Sequence, residues 1–411
     1  MRACSCRGHP QARVDDGVEH VDDAHHDEVG RAVRLSVHHQ LRRRGHHDVT
    51  DVGIRHGDAL GRGIEHQDSR PTYTEREQPI AELGEPLWNA GLSLRNQGDI
   101  DAQAISGAIG TATHGSGIKY QALSLAMKGC RIVTGNGDVV VVNESTPDLL
   151  RAAQVSIGML GVMTEVELSA APAYRLRERI ERWSWEETLA GWEENVRAHR
   201  HFSFFWLPFD ESAPLYGIPV PEGTTGAGTC YVKIYDEAGD NEPDDDTPDN
   251  RVDRAYRIYP MPDFEPNFYE FEYYVPYSRS LEALAEMREF MLKSYPASLF
   301  PLEVRTTAAD DAYLSPFYKS DMTVFSISGI PGTDYEPYLR AAHDLLGRYS
   351  ARVHWGKVNF LTRDELDMRF PEVEAFRRIR RELDPTGAFL NESLRPLFRR
   401  HDACGRRVSA A

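Results

Sequence analysis

Between residues 78 and 398 the hydrophobic positions recur with two periods, one helical and one of strands. Ile80, Leu83, Leu87 and Trp88 share one face at helical spacing and predict a short helix over 79–92. Residues 128–142 predict a hairpin: an apolar strand, the turn Gly135-Asn136-Gly137-Asp138, then four valines. Thr146-Pro147 predicts a helix start, with threonine as cap and proline first, and an apolar face lasting to Gly158. Val162, Thr164, Val166 and Leu168 then alternate as a strand ending near Ala171. Ser184-x-x-Glu187 is a capping box ahead of a helix carrying Leu189, Trp192 and Val196, and Thr362-x-x-Glu365 is a second one. Strands are predicted over 202–209, 230–235, 268–275, 300–306, 322–328 and 353–361. Two helices are marked by Leu281, Leu284, Met287 and Met291, and by Leu339, Ala342, Leu346 and Tyr349. The acidic, proline-containing run 236–250 is expected to be a solvated loop, and Asp384-Pro385-Thr386-Gly387 to end the closing helices.

Residues 1–77 break this pattern. The first seventy contain no Phe, Tyr, Trp, Lys or Asn, yet hold ten of the sixteen histidines. Without large apolar side chains such a segment gains too little burial to offset its ordering entropy. The missing residue types are those of A/T-rich codons, so the composition suits GC-rich DNA read in a shifted frame. The expectation is a non-native or disordered stretch, with authentic sequence resuming near Glu77-Gln78-Pro79-Ile80 and a short tail over 399–411. A metal-binding arm on His38-His39 and His46-His47 is the competing reading, but no ligand spacing repeats.

The net charge of −17 argues against nucleic-acid partners, which demand clustered cations. No apolar run approaches the ~20 residues of a membrane span. Cys4, Cys6, Cys130, Cys230 and Cys404 form no metal-ligand or disulfide framework, which favours a reducing, cytoplasmic setting.

Residues 96–117, NQGDIDAQAISGAIGTATHGSG, are dense in small side chains that let a backbone approach a ligand. No Gly-Lys-Ser/Thr follows, and Gly115-Ser116-Gly117 lacks the third glycine of a dinucleotide fingerprint. Further along, Glu303 and Arg305 stand at i and i+2, one face of a strand. A random Glu-x-Arg is more often a solvated ion pair than a site.

The order Asn-x-Gly-Asp, Ser-Gly, Gly-Thr-x-Thr-His-Gly-x-Gly resembles the flavin-binding segment of the sugar-1,4-lactone oxidases, a family of vanillyl-alcohol-oxidase flavoproteins. The likeness continues through Leu302-Glu303-Val304-Arg305, His354-Trp355-Gly356-Lys357, Asp384-Pro385 and Phe389-Leu390-Asn391. The resemblance implies an α+β protein. An incomplete FAD-binding (PCMH-type) domain over 78–171 would precede an antiparallel-sheet substrate domain flanked by helices over 172–398. It implies oxidation of the CH–OH group of a D-arabinono- or L-gulono-1,4-lactone, with oxygen or another electron acceptor. An alditol oxidase, an inactive flavin-free remnant and a sugar-binding module are the alternatives. It leaves room for peripheral membrane association.

Residue by residue, the resemblance makes Glu303, Arg305 and Lys357 catalytic and places His354, Ser328 and Asp99 at the substrate. FAD would meet Gly98, Asp99, Gly107, Thr111, Ala112, Thr113 and His114, with Val162 at the adenine end. Glycine at 98 would leave oxygen a path, favouring an oxidase. The first flavin loop of the family, of Gly-x-Gly-His-Ser type, has no counterpart here; Arg44-Gly45-His46-His47-Asp48 is the nearest string. FAD is therefore expected to be non-covalent or not retained, and no metal is expected.

Overall fold

A computed structural model describes residues 11–15, 31–38, 79–260, 268–296 and 299–399, the first two stretches as backbone. Two antiparallel sheets carry the fold. The first comprises β1 (Gln11–Asp15), β2 (Arg31–His38), β3 (Leu92–Ser93), β4 (Met127–Val133), β5 (Val139–Val142) and β6 (Val162–Pro172), ordered β1-β2-β6-β4-β5 with β3 on β6. The hairpin pairs Cys130 with Val142 and Val133 with Val139. On β6, Thr164, Val166, Leu168 and Ala170 are buried in alternation, as a half-buried strand requires.

Part of the stretch expected to be non-native or disordered runs as strand: β2 pairs with β6 from Arg31↔Ala170 to Ser36↔Glu165. Val33, Leu35 and Val37 alternate in the sequence, a local signal hidden by the composition of the whole segment. The remainder of 1–78 lies outside the described residues, as do 400–411.

The second sheet holds β7 (Arg175–Ser184), β8 (His201–Trp206), β9 (Thr229–Ala238), β10 (Asp245–Thr247), β11 (Asn250–Arg254), β12 (Tyr269–Pro276), β13 (Leu302–Thr307), β14 (Met322–Gly329) and β15 (Arg352–Val353). Its order is β10-β11-β7-β9-β8-β13-β14-β12-β15. Leu302, Val304, Phe204, Phe325 and Tyr273 share the apolar core with Leu284, Met287 and Met291 of the helix Ser280–Ser294 and Leu339 and Leu346 of the helix Glu336–Gly347. Alternation then turns Glu303 and Arg305 to the other face, toward the glycine-rich segment.

Both capping boxes form: Ser184 Oγ accepts from Glu187 N at 3.1 Å and Thr362 Oγ1 from Glu365 N at 3.3 Å. Ser184→Ala should lower the unfolding free energy by about 1 kcal/mol, read from urea denaturation. Other local readings need correction. Thr146 does not cap its helix (Pro147–Gln154), because its hydroxyl bonds Asn143 O at 3.0 Å. Leu281 is exposed; Ala283 joins Leu284 on the buried face instead. The acidic run contributes β10 and part of β11 rather than loop alone. The strand expected over 353–361 stops at Val353, because Lys357 N donates to His354 O at 3.2 Å and turns the chain. Among the described residues no helix is long and apolar enough to cross a membrane.

Candidate active site

Strand register assembles the site. Glu303 on β13 stands opposite Phe205 on β8 and Ser326 on β14, and Ser326 stands opposite Glu272 on β12. Register partners share a face, so Phe205, Glu303, Ser326 and Glu272 form one row across four strands. Above it lies a cleft of about 390 Å³, within the ~300–1,000 Å³ usual for small-molecule sites. One wall is the loop around Gly98, Asp99, Thr113 and His114; another is Glu270, Glu303 and Arg305; His354 and Lys357 enter from the turn after β15. Phe205, Tyr216, Phe268 and Tyr269 add an aromatic side. The backbone of the loop wall is strained: Ala112 has φ +61°, left-handed without being glycine. At Gly98 a Cβ would meet His114 O at 3.2 Å and Thr113 Cγ2 at 3.4 Å, so a side chain there would press on the His114 loop.

Charge converges here. Arg305 donates from Nη2 to Glu272 Oε2 at 2.6 Å, and its guanidinium lies 3.7 Å from Asp99 Oδ2 and 3.3 Å from Glu303 Oε1. Arg305 Nε, though buried, makes no hydrogen bond among the described residues. Lys357 Nζ donates to Glu272 Oε2 at 2.8 Å and to Glu270, which also accepts from Ser326 Oγ at 2.8 Å. Burial pushes the Glu303 carboxyl up to about 7; Arg305 opposes this, while Asp99, Glu270 and Glu272 add to it. Burial works against the Glu272 carboxylate too, but Lys357, His114 and Arg305 hold it well below the ordinary range. Burial and then Lys357 keep His354 well below the usual imidazole value, so it is neutral. Its Nδ1 accepts from Gly356 N at 2.9 Å, which leaves the proton on Nε2.

Of the expected site residues, Glu303, Arg305, Lys357, His354, Asp99, Gly98, Thr113 and His114 line this cleft. Gly107, Thr111, Ala112, Ser328 and Val162 do not. Gly107 is exposed with open space beside it, Thr111 Oγ1 donates to Gly107 O at 2.9 Å, and Val162 pairs with Val133 in the first sheet. Ser328 is buried opposite Glu270, beside the Tyr216 phenol. Sequence reasoning missed Glu270 and Glu272, although Tyr269-Glu270-Phe271-Glu272 has the same i, i+2 spacing that marked Glu303 and Arg305. It also missed Lys233, a buried ammonium on β9 3.6 Å from Glu178 and raised, against burial, by Asp99, Glu178 and Glu303.

Residues 222–397 match the D-arabinono-1,4-lactone oxidase family. An L-gulono-1,4-lactone dehydrogenase of Mycobacterium tuberculosis is 32% identical over 336 residues, covering 76% of this chain and 78% of that protein. The L-gulonolactone oxidase of Bos taurus is 25% identical over 78% of this chain and 79% of its own, and a Streptomyces alditol oxidase 27% identical over 77% and 79%. Among solved structures, a cholesterol oxidase from B. sterolicum superposes with a TM-score of 0.65 at 13% identity, covering 78% of this chain and 79% of that one. That likeness shows a shared α+β fold.

Proposed function

This chain belongs to the sugar-1,4-lactone oxidase family, FAD-dependent oxidoreductases, and we propose that its cleft oxidises a CH–OH group of a D-arabinono- or L-gulono-1,4-lactone, with oxygen as acceptor. The supporting observation is the meeting of Glu303, Arg305 and Lys357 opposite the Gly98 and Thr113 backbone. Bound FAD would supply a ring that accepts hydride from the substrate carbon.

The residues present suit that group at its ring end. The wall at Gly98, Thr113 and His114 offers close-approach backbone, and Arg305 brings a buried guanidinium to the same cleft. Residues 78–171 would hold the cofactor and 172–398 the substrate. Gly98, Asp99, Thr113 and His114 would meet the ring, and Gly107, Thr111, Ala112 and Val162 the more distant parts. No Gly-x-Gly-His-Ser string is present, so the link would be non-covalent. Gly98, bare of side chain, favours access by oxygen.

Arg305 and Lys357 supply positive charge where negative charge develops during hydride loss. Glu303, poised near neutrality, takes the hydroxyl proton. Asp99 and Glu270 accept from other substrate hydroxyls. His354 donates from Nε2 to a substrate oxygen, and Ser328 supports the cleft from behind Glu270.

The test is purification, with FAD reconstitution if needed, followed by a panel of 1,4-lactones and open-chain alditols with hydrogen peroxide as readout. Yellow protein that oxidises lactones and releases its flavin on acid precipitation is the expected result. Protein that stays colourless with added FAD, or turns over alditols alone, overturns the reading.

A further inference from the structure

We propose that Glu272 is the positioning residue of this site, a strut that ties the His114 loop to the two cations and so sets the width of the cleft. The inference rests on the lactone-oxidase reading only for its kinetic arm. Glu272 is fully buried and is not among the residues lining the cleft, so substrate does not touch it. Its two oxygens divide the work. Oε1 lies 2.8 Å from His114 Nε2 and accepts from Tyr274 OH at 2.5 Å; Oε2 accepts from Arg305 at 2.6 Å and Lys357 at 2.8 Å. His114 belongs to the glycine-rich loop, Arg305 to β13 and Lys357 to the turn after β15. One carboxylate thus binds three segments that are far apart in sequence.

The carboxylate is costly to hold there. A buried charge with no role beyond packing is replaced by apolar residues at little loss of stability, or at a gain. Phe271 and Tyr273, its neighbours on β12, show that this strand readily carries bulky apolar side chains on its other face. The charge also has a consequence for the cations: with Glu270 it keeps the Lys357 ammonium protonated against burial.

The experiment compares Glu272→Gln with wild type by two independent readouts. The first needs neither flavin nor substrate. Lysine carrying ¹³C at Cε is incorporated during expression and titrated by NMR, the Lys357 signal being assigned by its disappearance in Lys357→Arg. In Glu272→Gln the Lys357 midpoint should move to lower pH, with Glu270 still holding the ammonium and burial and the Arg305 guanidinium opposing it.

The second readout is steady-state kinetics on a lactone. Loss of about tenfold or more is expected in kcat, with a smaller change in KM. The pH limb governed by Glu303 should move to lower pH, since Arg305, Lys233, Lys357, Asp99, Glu270 and the Tyr216 phenol still face that carboxyl but one negative neighbour has gone. Glu272→Asp keeps the charge and withdraws it by one methylene. It should preserve Lys357 protonation yet still lose kcat, and it serves if the glutamine variant does not fold. A folded Glu272→Gln with an unmoved Lys357 titration, or a Glu272→Asp with unchanged kcat, overturns the proposal. A wild type inactive on every lactone overturns the functional reading and leaves the NMR result to decide this one.

Discussion

Arg305→Lys is expected to lower kcat/KM for a lactone by ~10²–10³-fold while leaving the protein folded. The guanidinium reaches Glu272 at 2.6 Å, Glu303 at 3.3 Å through Nε, and Asp99 at 3.7 Å at once. An ammonium keeps the charge but cannot reproduce a planar fork spread across three carboxylates. The charge must be kept to read the effect cleanly. Arg305→Ala would strand Glu272 and its neighbours, a loss of ~3–5 kcal/mol that would be hard to separate from unfolding. Activity of Arg305→Lys within threefold of wild type, at matched melting temperature, would remove the guanidinium from the chemistry.

Glu303→Gln should cost ~10²–10⁴-fold in kcat and abolish the acid limb of the pH profile. In the mechanism proposed above the base is the Glu303 carboxylate, raised to about 7, so turnover should climb as pH rises through that value and fall away below it. Stability runs the opposite way. A carboxyl whose folded value lies above its ordinary 4.5 favours the folded state while protonated, and that contribution is lost as pH rises from about 4.5 to about 7. Asp310, buried and likewise pushed up to about 7, acts with the same sign and persists in the variant. Glu303→Gln should therefore melt above wild type at pH 8, and the gap should close toward pH 5. A variant that is slower and also less stable at pH 8 would mean that the carboxylate is a structural anchor.

The reach of sequence reasoning follows how local each signal is. Ser184 and Thr362 each find their partner three residues on, and both boxes form. Glu303 and Arg305 were singled out by the family resemblance, since their spacing on one strand face reads by itself as a solvated ion pair. Glu270 and Glu272 have the same spacing, but their cations come from β13 and from the turn after β15, so nothing nearby in sequence marked them. Apolar runs misled in another way. Residues 353–361 look like a strand, yet the turn from His354 to Lys357 that ends it is what brings Lys357 to Glu272. The composition of residues 1–77 outweighed the alternation that places β2 against β6.

The strands β8, β13 and β14 are buried along their whole length, and β13 carries both Glu303 and Arg305. Amide deuterium uptake at those two positions should therefore wait for the opening of the entire sheet, while the Gly98 loop exchanges through smaller fluctuations. A catalyst mounted this way has no softened, half-working form. On warming, its turnover and its cooperative melting should fall along a single curve.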